Sequence, residues 1–388
     1  MLILLIAVGG WNYVRPVPAV AATSSGLSRY VITGTPPALP WPSTGSAAVG
    51  ASQLGLIATS GDQQPAPSGS VAKVMTALVL LADKPLAVGE EGPAVVMTAQ
   101  DVATYKADAA DGQSVVRVSA GEQLSEYELL EALLIPSANN IAEAIARWDA
   151  GSVTAFVGKM NDRAAALHLT HTTFGDAAGL SAQTVSTPAD LIALGMAAMQ
   201  QAVIAQIVGE VQTTLPVAGL VYNTNGALGQ SGIVGIKTGV NAGATFLFAA
   251  NATVDGHQIT LYGCVMRQPT LAIAFDAAKA LTDTMANTLK MRAIVSRKDV
   301  VGAYDAPWGG HADVVATADL AFVEWPGMTL RWRLEPKPLA VDAFVPSGTP
   351  AGKLHLVLGD QQADVPLVTS GSLDPPNLVW RVSRINWL

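Results

Sequence analysis

One lysine, Lys73, stands in an otherwise uncharged run: Ser70-Val71-Ala72-Lys73-Val74-Met75-Thr76-Ala77-Leu78-Val79-Leu80-Leu81. The run makes about three turns of helix, and a helix that is apolar on nearly every face has no side to give to water. It must therefore thread the middle of a domain, with other elements built around it. A lysine on such a helix is a costly choice. Burial disfavours its ammonium form, and so does any second cation nearby, which turns a poor base into a usable one. Ser70 lies three residues ahead on the same face, within reach of the lysine nitrogen. It also sits in the first turn, where unpaired N–H groups and the positive dipole end favour a developing anion.

Composition narrows what else the chain can be. Half of the 388 residues are hydrophobic and 13% are charged, so the chain is globular and not disordered. At roughly 100–200 residues per domain, it has room for two or three domains. A net charge of −8 repels phosphates, so nucleic acid is not an expected partner. Cys264 is the one cysteine, which rules out an intrachain disulfide and a thiol-ligated zinc site; in its apolar strand it reads as a small buried hydrophobe. His168 and His171 lack the acidic partner of a metal motif, and Asp176, close to Gly179, reads as a turn residue. There is no Walker loop, dinucleotide fingerprint or G-x-S-x-G elbow, so neither a metal nor an organic cofactor is expected.

Along the chain, Leu2–Val8 is too short to span a bilayer but fits the apolar core of an export signal, and Ala19-Val20-Ala21 supplies a small-x-small cleavage pattern. The basic residues that usually precede such a run are missing. Residues 1–22 are accordingly expected to be a signal peptide or the remnant of a membrane anchor. Residues 47–57 read as a hairpin. A helix is expected from Ser125, which with Glu128 has capping-box form, and others at Ile141–Trp148, Val153–Ala166 and Pro188–Met199. Strands follow at Gly243–Asn251 and Gln258–Met266, joined by a turn at Asp255-Gly256, and then a helix near Ala272–Lys290. From about Ala293 short, partly alternating stretches broken by Pro and Gly indicate a β-sandwich. The expected division is therefore residues 23–294 and residues 295–388. The Trp- and Arg-bearing tail from Val379 suits a final strand or an interfacial anchor equally.

Two further short motifs carry chemistry. Ser137 and Asn139 fall in a loop between helices, where a hydroxyl can relay a proton and a carboxamide can bind a substrate amide. Lys237-Thr238-Gly239 precedes an apolar strand: the lysine attracts a carboxylate, the threonine donates to it, and the glycine lets a substrate backbone lie close. These parts suit acyl transfer through a serine ester on a substrate that ends in a carboxylate. The first two motifs alone are common and Lys-Thr-Gly is scarcer; all three together, in this order and at these separations, form a known set.

With its motifs at Ser70-x-x-Lys73, Ser137-x-Asn139 and Lys237-Thr238-Gly239, the chain resembles the low-molecular-weight penicillin-binding proteins, serine D-alanyl-D-alanine carboxypeptidases of the peptidase S11 family. The likeness runs from about Pro40 to Ser370 and includes Leu129–Asn140, Phe156–Asn161, Gly179-Leu180, Asn223-Thr224-Asn225 and Gly235-Ile236. The resemblance implies an α+β fold, a DD-peptidase or β-lactamase-like domain in which helices flank an antiparallel sheet beside an all-helical region, followed by a C-terminal β-sandwich. It implies Ser70 as acylated nucleophile, Lys73 as its base, Ser137 and Asn139 as proton relay and amide clamp, and Lys237 with Thr238 as the carboxylate site. The oxyanion hole would be formed by the backbone N–H groups of Ser70 and Val240. It also implies a peptidoglycan stem peptide ending in D-Ala-D-Ala as substrate, β-lactams as covalent inhibitors, and an exported, cell-envelope location with membrane association open.

Three departures stand out. Ala72 replaces the usual Thr, and the stretch after Gly239 is short. Ala274-Phe275 lacks the Arg that many members place before the Phe, a role for which Arg267 is the candidate substitute. Between Phe174 and Pro188 there is Asp176 and no Glu, which disfavours a class A β-lactamase. The remaining rivals are a DD-endopeptidase of the same family and a homologue that binds without turnover.

Overall fold

The computed structural model describes residues 2–24 and 29–384. The chain divides into two compact units, one of residues 37–289 and one of residues 1–36 with 290–388.

The first unit is built on a five-stranded antiparallel sheet in the order Ile233–Val240, Ala244–Val254, His257–Gln268, Ser46–Ala51 and Gly55–Ser60. The Asp255-Gly256 turn joins two of these strands in register, Val254 opposite His257. Both faces of the sheet are covered, because adjacent residues of a strand point to opposite sides. Phe246 meets Phe275 of the helix Leu271–Thr288 edge-on, with ring centroids 4.9 Å apart. Its neighbour Leu247 lies over Gly195 of the helix Pro188–Met199, where an added Cβ would sit 3.1 Å from the leucine.

The uncharged run begins as a 3₁₀ turn, Gly69–Ala72, and continues as the α-helix Lys73–Asp83. Every residue from Lys73 to Leu81 is buried, because helices Glu126–Leu134, Asn139–Ala150, Val153–Ala166 and Pro188–Met199 surround it. Local chemistry sets their ends. Ser125 and Glu128 form the expected capping box, and Gly151 ends its helix in the left-handed region at φ 75°. A further helix, Ala99–Ala110, has its own capping box from Thr98 and Asp101. The sequence reading missed it because it is weakly amphipathic and buries little beyond Asp101 and Thr104.

The second unit holds a seven-stranded antiparallel sheet and a two-stranded one, Lys290–Val295 with Leu320–Glu324, around a single core that includes Tyr304, Val314, Phe322 and Leu356. Its membership differs from the expected division. Ala22–Ser24 pairs with Gly302–Tyr304, and Arg29–Val31 pairs with Thr329–Arg331, so the residues around 22–36 belong to this unit and not to the first. Its other boundary falls at Lys290, because the strand that starts there is hydrogen-bonded to Leu320–Glu324. The tail is a short helix, Leu378–Ser383, and not a final strand. It lies along the helix Leu2–Val14, where the Arg384 guanidinium donates to the carbonyls of Asn12, Arg15 and Pro16.

Among the described residues no single helix is long and apolar enough to cross a membrane.

Candidate active site

Lys73 is fully buried, and its Nζ has three neighbours: Ser70 Oγ at 2.8 Å, Asn139 Oδ1 at 2.6 Å and the Ala178 carbonyl at 2.9 Å. Burial holds its pKa well below the ordinary lysine value, and the positive charge of Lys237 pushes it the same way; Asp176 and Asp108 pull weakly in the other direction. A neutral amine has two N–H donors and one lone pair. The Asn139 and Ala178 oxygens can only accept, so they take the two N–H groups. In that neutral form the lone pair is left for the Ser70 hydroxyl to donate to. Burial also lowers Lys237, to about 7.

Asn139 opens the helix Asn139–Ala150, and its amide is fixed from both ends: the oxygen faces Lys73 while Nδ2 donates to Gln113 Oε1 at 2.8 Å. Ser137 takes a left-handed backbone at φ 68°, which a non-glycine residue adopts only under constraint. The constraint comes from its neighbours, since the Ala138 N–H donates to Ala132 O and the Asn139 N–H to Ser114 O. Both Ser137 and Asn139 are buried in the floor of a cleft of about 380 Å³, which Ser70, Thr224, Thr238, Gly239 and Val240 also line. Leu180 and Leu271 give its rim an apolar character.

The strand Ile233–Val240 forms the opposite wall. The Thr238 hydroxyl is 2.7 Å from that of Thr224, and Lys237 Nζ donates to the Thr238 carbonyl at 3.3 Å. Gly239 has a reason to be glycine besides the one expected. A Cβ there would lie 2.6 Å from the Ser68 carbonyl and 3.0 Å from the Ser70 nitrogen, so the atoms spared are those of the turn that carries Ser70. The close approach brings Val240 and Ser70 to the same cleft.

All eight residues singled out in the sequence, Ser70, Lys73, Ser137, Asn139, Lys237, Thr238, Gly239 and Val240, thus come together, six lining the cleft and the two lysines buried behind it. Arg267 does not join them. Its guanidinium donates to the Asp62 carbonyl and lies 3.9 Å from the Asp62 carboxylate, and Ala274 is fully buried. Three contributors went unrecognised in the sequence: Gln113, Thr224 and the Ala178 carbonyl. Of these, only Thr224 lies in one of the family-like stretches, Asn223-Thr224-Asn225.

Residues 45–270, more than half of the chain, match the peptidase S11 family, described as D-alanyl-D-alanine carboxypeptidase. The chain belongs to the peptidase S11 family. Within the family it is similar to the D-alanyl-D-alanine carboxypeptidase DacC of Escherichia coli (strain K12), with 32% identity over 173 residues, 44% of this chain and 43% of that protein. It is equally similar to a D-alanyl-D-alanine endopeptidase of Pseudomonas aeruginosa, 32% identical over 140 residues, 36% of this chain and 42% of the relative. The S11 chain therefore matches less than half the length of each of these relatives. The crystal structure of the Streptomyces K15 DD-transpeptidase superposes with a TM-score of 0.56 at 26% identity, covering 63% of this chain and 98% of the other.

Proposed function

We propose that this S11 protein is a serine D-Ala-D-Ala carboxypeptidase that trims peptidoglycan stem peptides through a Ser70 acyl-enzyme and is acylated by penicillins at the same residue. The observation that carries the reading is the buried Lys73 amine, 2.8 Å from Ser70 Oγ, with its pKa lowered by burial and by Lys237. The amine takes the hydroxyl proton as Oγ attacks the carbonyl carbon of the penultimate D-Ala. Negative charge grows on the carbonyl oxygen, and the N–H groups of Ser70 and Val240, which both line the cleft, would stabilise it. The leaving amine of the terminal D-Ala takes up a proton through Ser137, and water then hydrolyses the ester. Asn139 clamps the substrate amide. The terminal carboxylate goes to the Thr238 hydroxyl, backed by Thr224 and by the field of Lys237. No step calls for a metal or an organic cofactor.

A second reading, endopeptidase action on cross-links, draws support from the missing arginine. With Ala274 buried and Arg267 held by Asp62, the carboxylate has fewer cationic partners than the family pattern provides, so a bulkier leaving group loses little there.

Because peptidoglycan lies outside the cytoplasmic membrane, this reading also makes the protein an exported one, with residues 1–22 as a leader or an anchor remnant. Membrane association fits the terminal helices, where Trp11, Val14, Leu378 and Val379 are exposed beside Arg381 and Arg384.

Incubation with a D-Ala-D-Ala pentapeptide and, separately, with a cross-linked dimer tests the proposal. Release of D-alanine from the pentapeptide supports the first reading, cleavage of the dimer alone supports the second, and a protein that takes up no fluorescent penicillin refutes both.

A further inference from the structure

The loop that supplies the Ala178 carbonyl is tied to a single carboxylate. Asp176 Oδ2 accepts the N–H groups of Leu180 at 2.7 Å, Gly179 at 2.9 Å and Ala178 at 3.3 Å. Its other oxygen accepts the hydroxyl of the buried Thr184, which in turn accepts the Gly175 N–H at 3.0 Å. Four donors on one side chain match the acceptor capacity of a carboxylate and exceed that of the single oxygen of an amide.

The loop is also pressed against the nucleophile's helix at two points. The Ala177 carbonyl accepts the hydroxyl of Thr76, on the same helix as Lys73, at 2.7 Å. Gly179, at φ 91°, lies so close to the 3₁₀ turn that a Cβ would fall 1.9 Å from the Gly69 carbonyl. Between these points the Ala178 carbonyl accepts from Lys73 Nζ. Of the three neighbours of the amine, this one alone is a main-chain carbonyl, so its direction depends on whatever fixes the loop.

We propose that Asp176 is a positioning residue for the base: by gathering the loop's N–H groups it holds the Ala178 carbonyl on the Lys73 amine, which aims the amine's lone pair at Ser70. The inference rests on the acyl-enzyme reading above. It assigns to Asp176 no contact with substrate and no proton transfer. The charged groups that act on Lys73 are Lys237 from the facing strand, Asp176 from this loop and Asp108 from the helix Ala99–Ala110. Removing the Asp176 charge therefore makes Lys73 easier to deprotonate.

The test measures the second-order rate of acylation by a fluorescent penicillin across pH, per folded protein, for the wild type, Asp176→Ala and Asp176→Asn. Asp176→Ala loses every acceptor of the loop, and its rate is expected to fall on the order of 10- to 100-fold, the scale that follows a misplaced catalytic group. Asp176→Asn keeps one oxygen for the N–H groups and lets its amide face Thr184. It is expected to recover most of the rate, with the rise of rate against pH displaced to lower pH. A loop that matters only for stability gives a different result: lower melting temperatures in both variants, with rate per folded protein and pH profile unchanged. That result overturns the inference, as does an Asp176→Asn variant as slow as Asp176→Ala with no displacement of the profile. If the wild type itself takes no label, the acyl-enzyme reading falls, a failure distinct from a labelled wild type matched by its variants.

Discussion

Ser70 Oγ and Lys73 Nζ are 2.8 Å apart, one helical turn along a segment with no route to solvent for the amine. The pairing depends on the amine being neutral. Lys73→Arg retains a long cationic side chain but cannot lose its proton at any working pH. Acylation by a fluorescent penicillin is expected to fall about 10²–10⁴-fold, the usual contribution of a positioned base. In the wild type, lowering the lysine pKa keeps the base deprotonated down to lower pH. The acylation rate should therefore rise with pH and reach its plateau well below the range in which an exposed lysine titrates.

Gly239→Ala tests whether the glycine serves the nucleophile's turn or the substrate. The new methyl would press on the Ser68 carbonyl and the Ser70 nitrogen, both main-chain atoms that cannot rotate away. We expect a lower melting temperature together with slower acylation by penicillins of any size. If Gly239 only made room for substrate, the melting temperature would not change and only bulky ligands would react more slowly.

Thr224→Val removes the hydroxyl paired with Thr238 and leaves the shape of the cleft intact. A hydrogen bond of this kind is worth about 1 kcal/mol, so KM for a carboxylate-ended peptide should rise about fivefold. The value of kcat should change little, because in the proposed reaction the bond made and broken lies at Ser70. Steady-state kinetics on a pentapeptide separates the two parameters, and an unchanged KM would remove Thr224 from the carboxylate site.

Much of this site could be read from the sequence because its parts are local. Ser70 and Lys73 share a helix face by spacing alone, and Ser125 with Glu128 satisfies a helix end within four residues. The start of Val153–Ala166 follows from Ser152, whose side chain accepts the Ala155 N–H. What escaped is non-local. Ala22–Ser24 finds its partners about 280 residues later, at Gly302–Tyr304, and nothing in three residues announces such a pairing. Gln113 reaches Asn139 across 26 residues of chain, and the Ala178 contact is made by a carbonyl that every residue type carries. Arg267 looked like a spare cation, but only the fold shows it turned toward Asp62.

Glu126 gives a prediction about stability away from the cleft. Its side chain is buried at the start of the helix Glu126–Leu134, and Oε1 has no hydrogen-bond partner among the described residues. Burial raises its pKa from 4.5 to about 7, against the pull of Lys84 and with a push from Asp149. The folded state therefore holds a proton that the unfolded chain releases near its ordinary value. Stability linked to this group is complete below about pH 4.5 and drains away as pH climbs through about 7. At one pKa unit per 1.4 kcal/mol, the loss at pH 8 is at most about 3 kcal/mol. Glu126→Gln preserves shape and cannot ionise, so it should melt close to the wild type at pH 5 and at a higher temperature than the wild type at pH 8. Thermal melts at the two pH values decide the matter: a wild type and variant that respond identically to pH would mean that Glu126 is solvated in the folded protein.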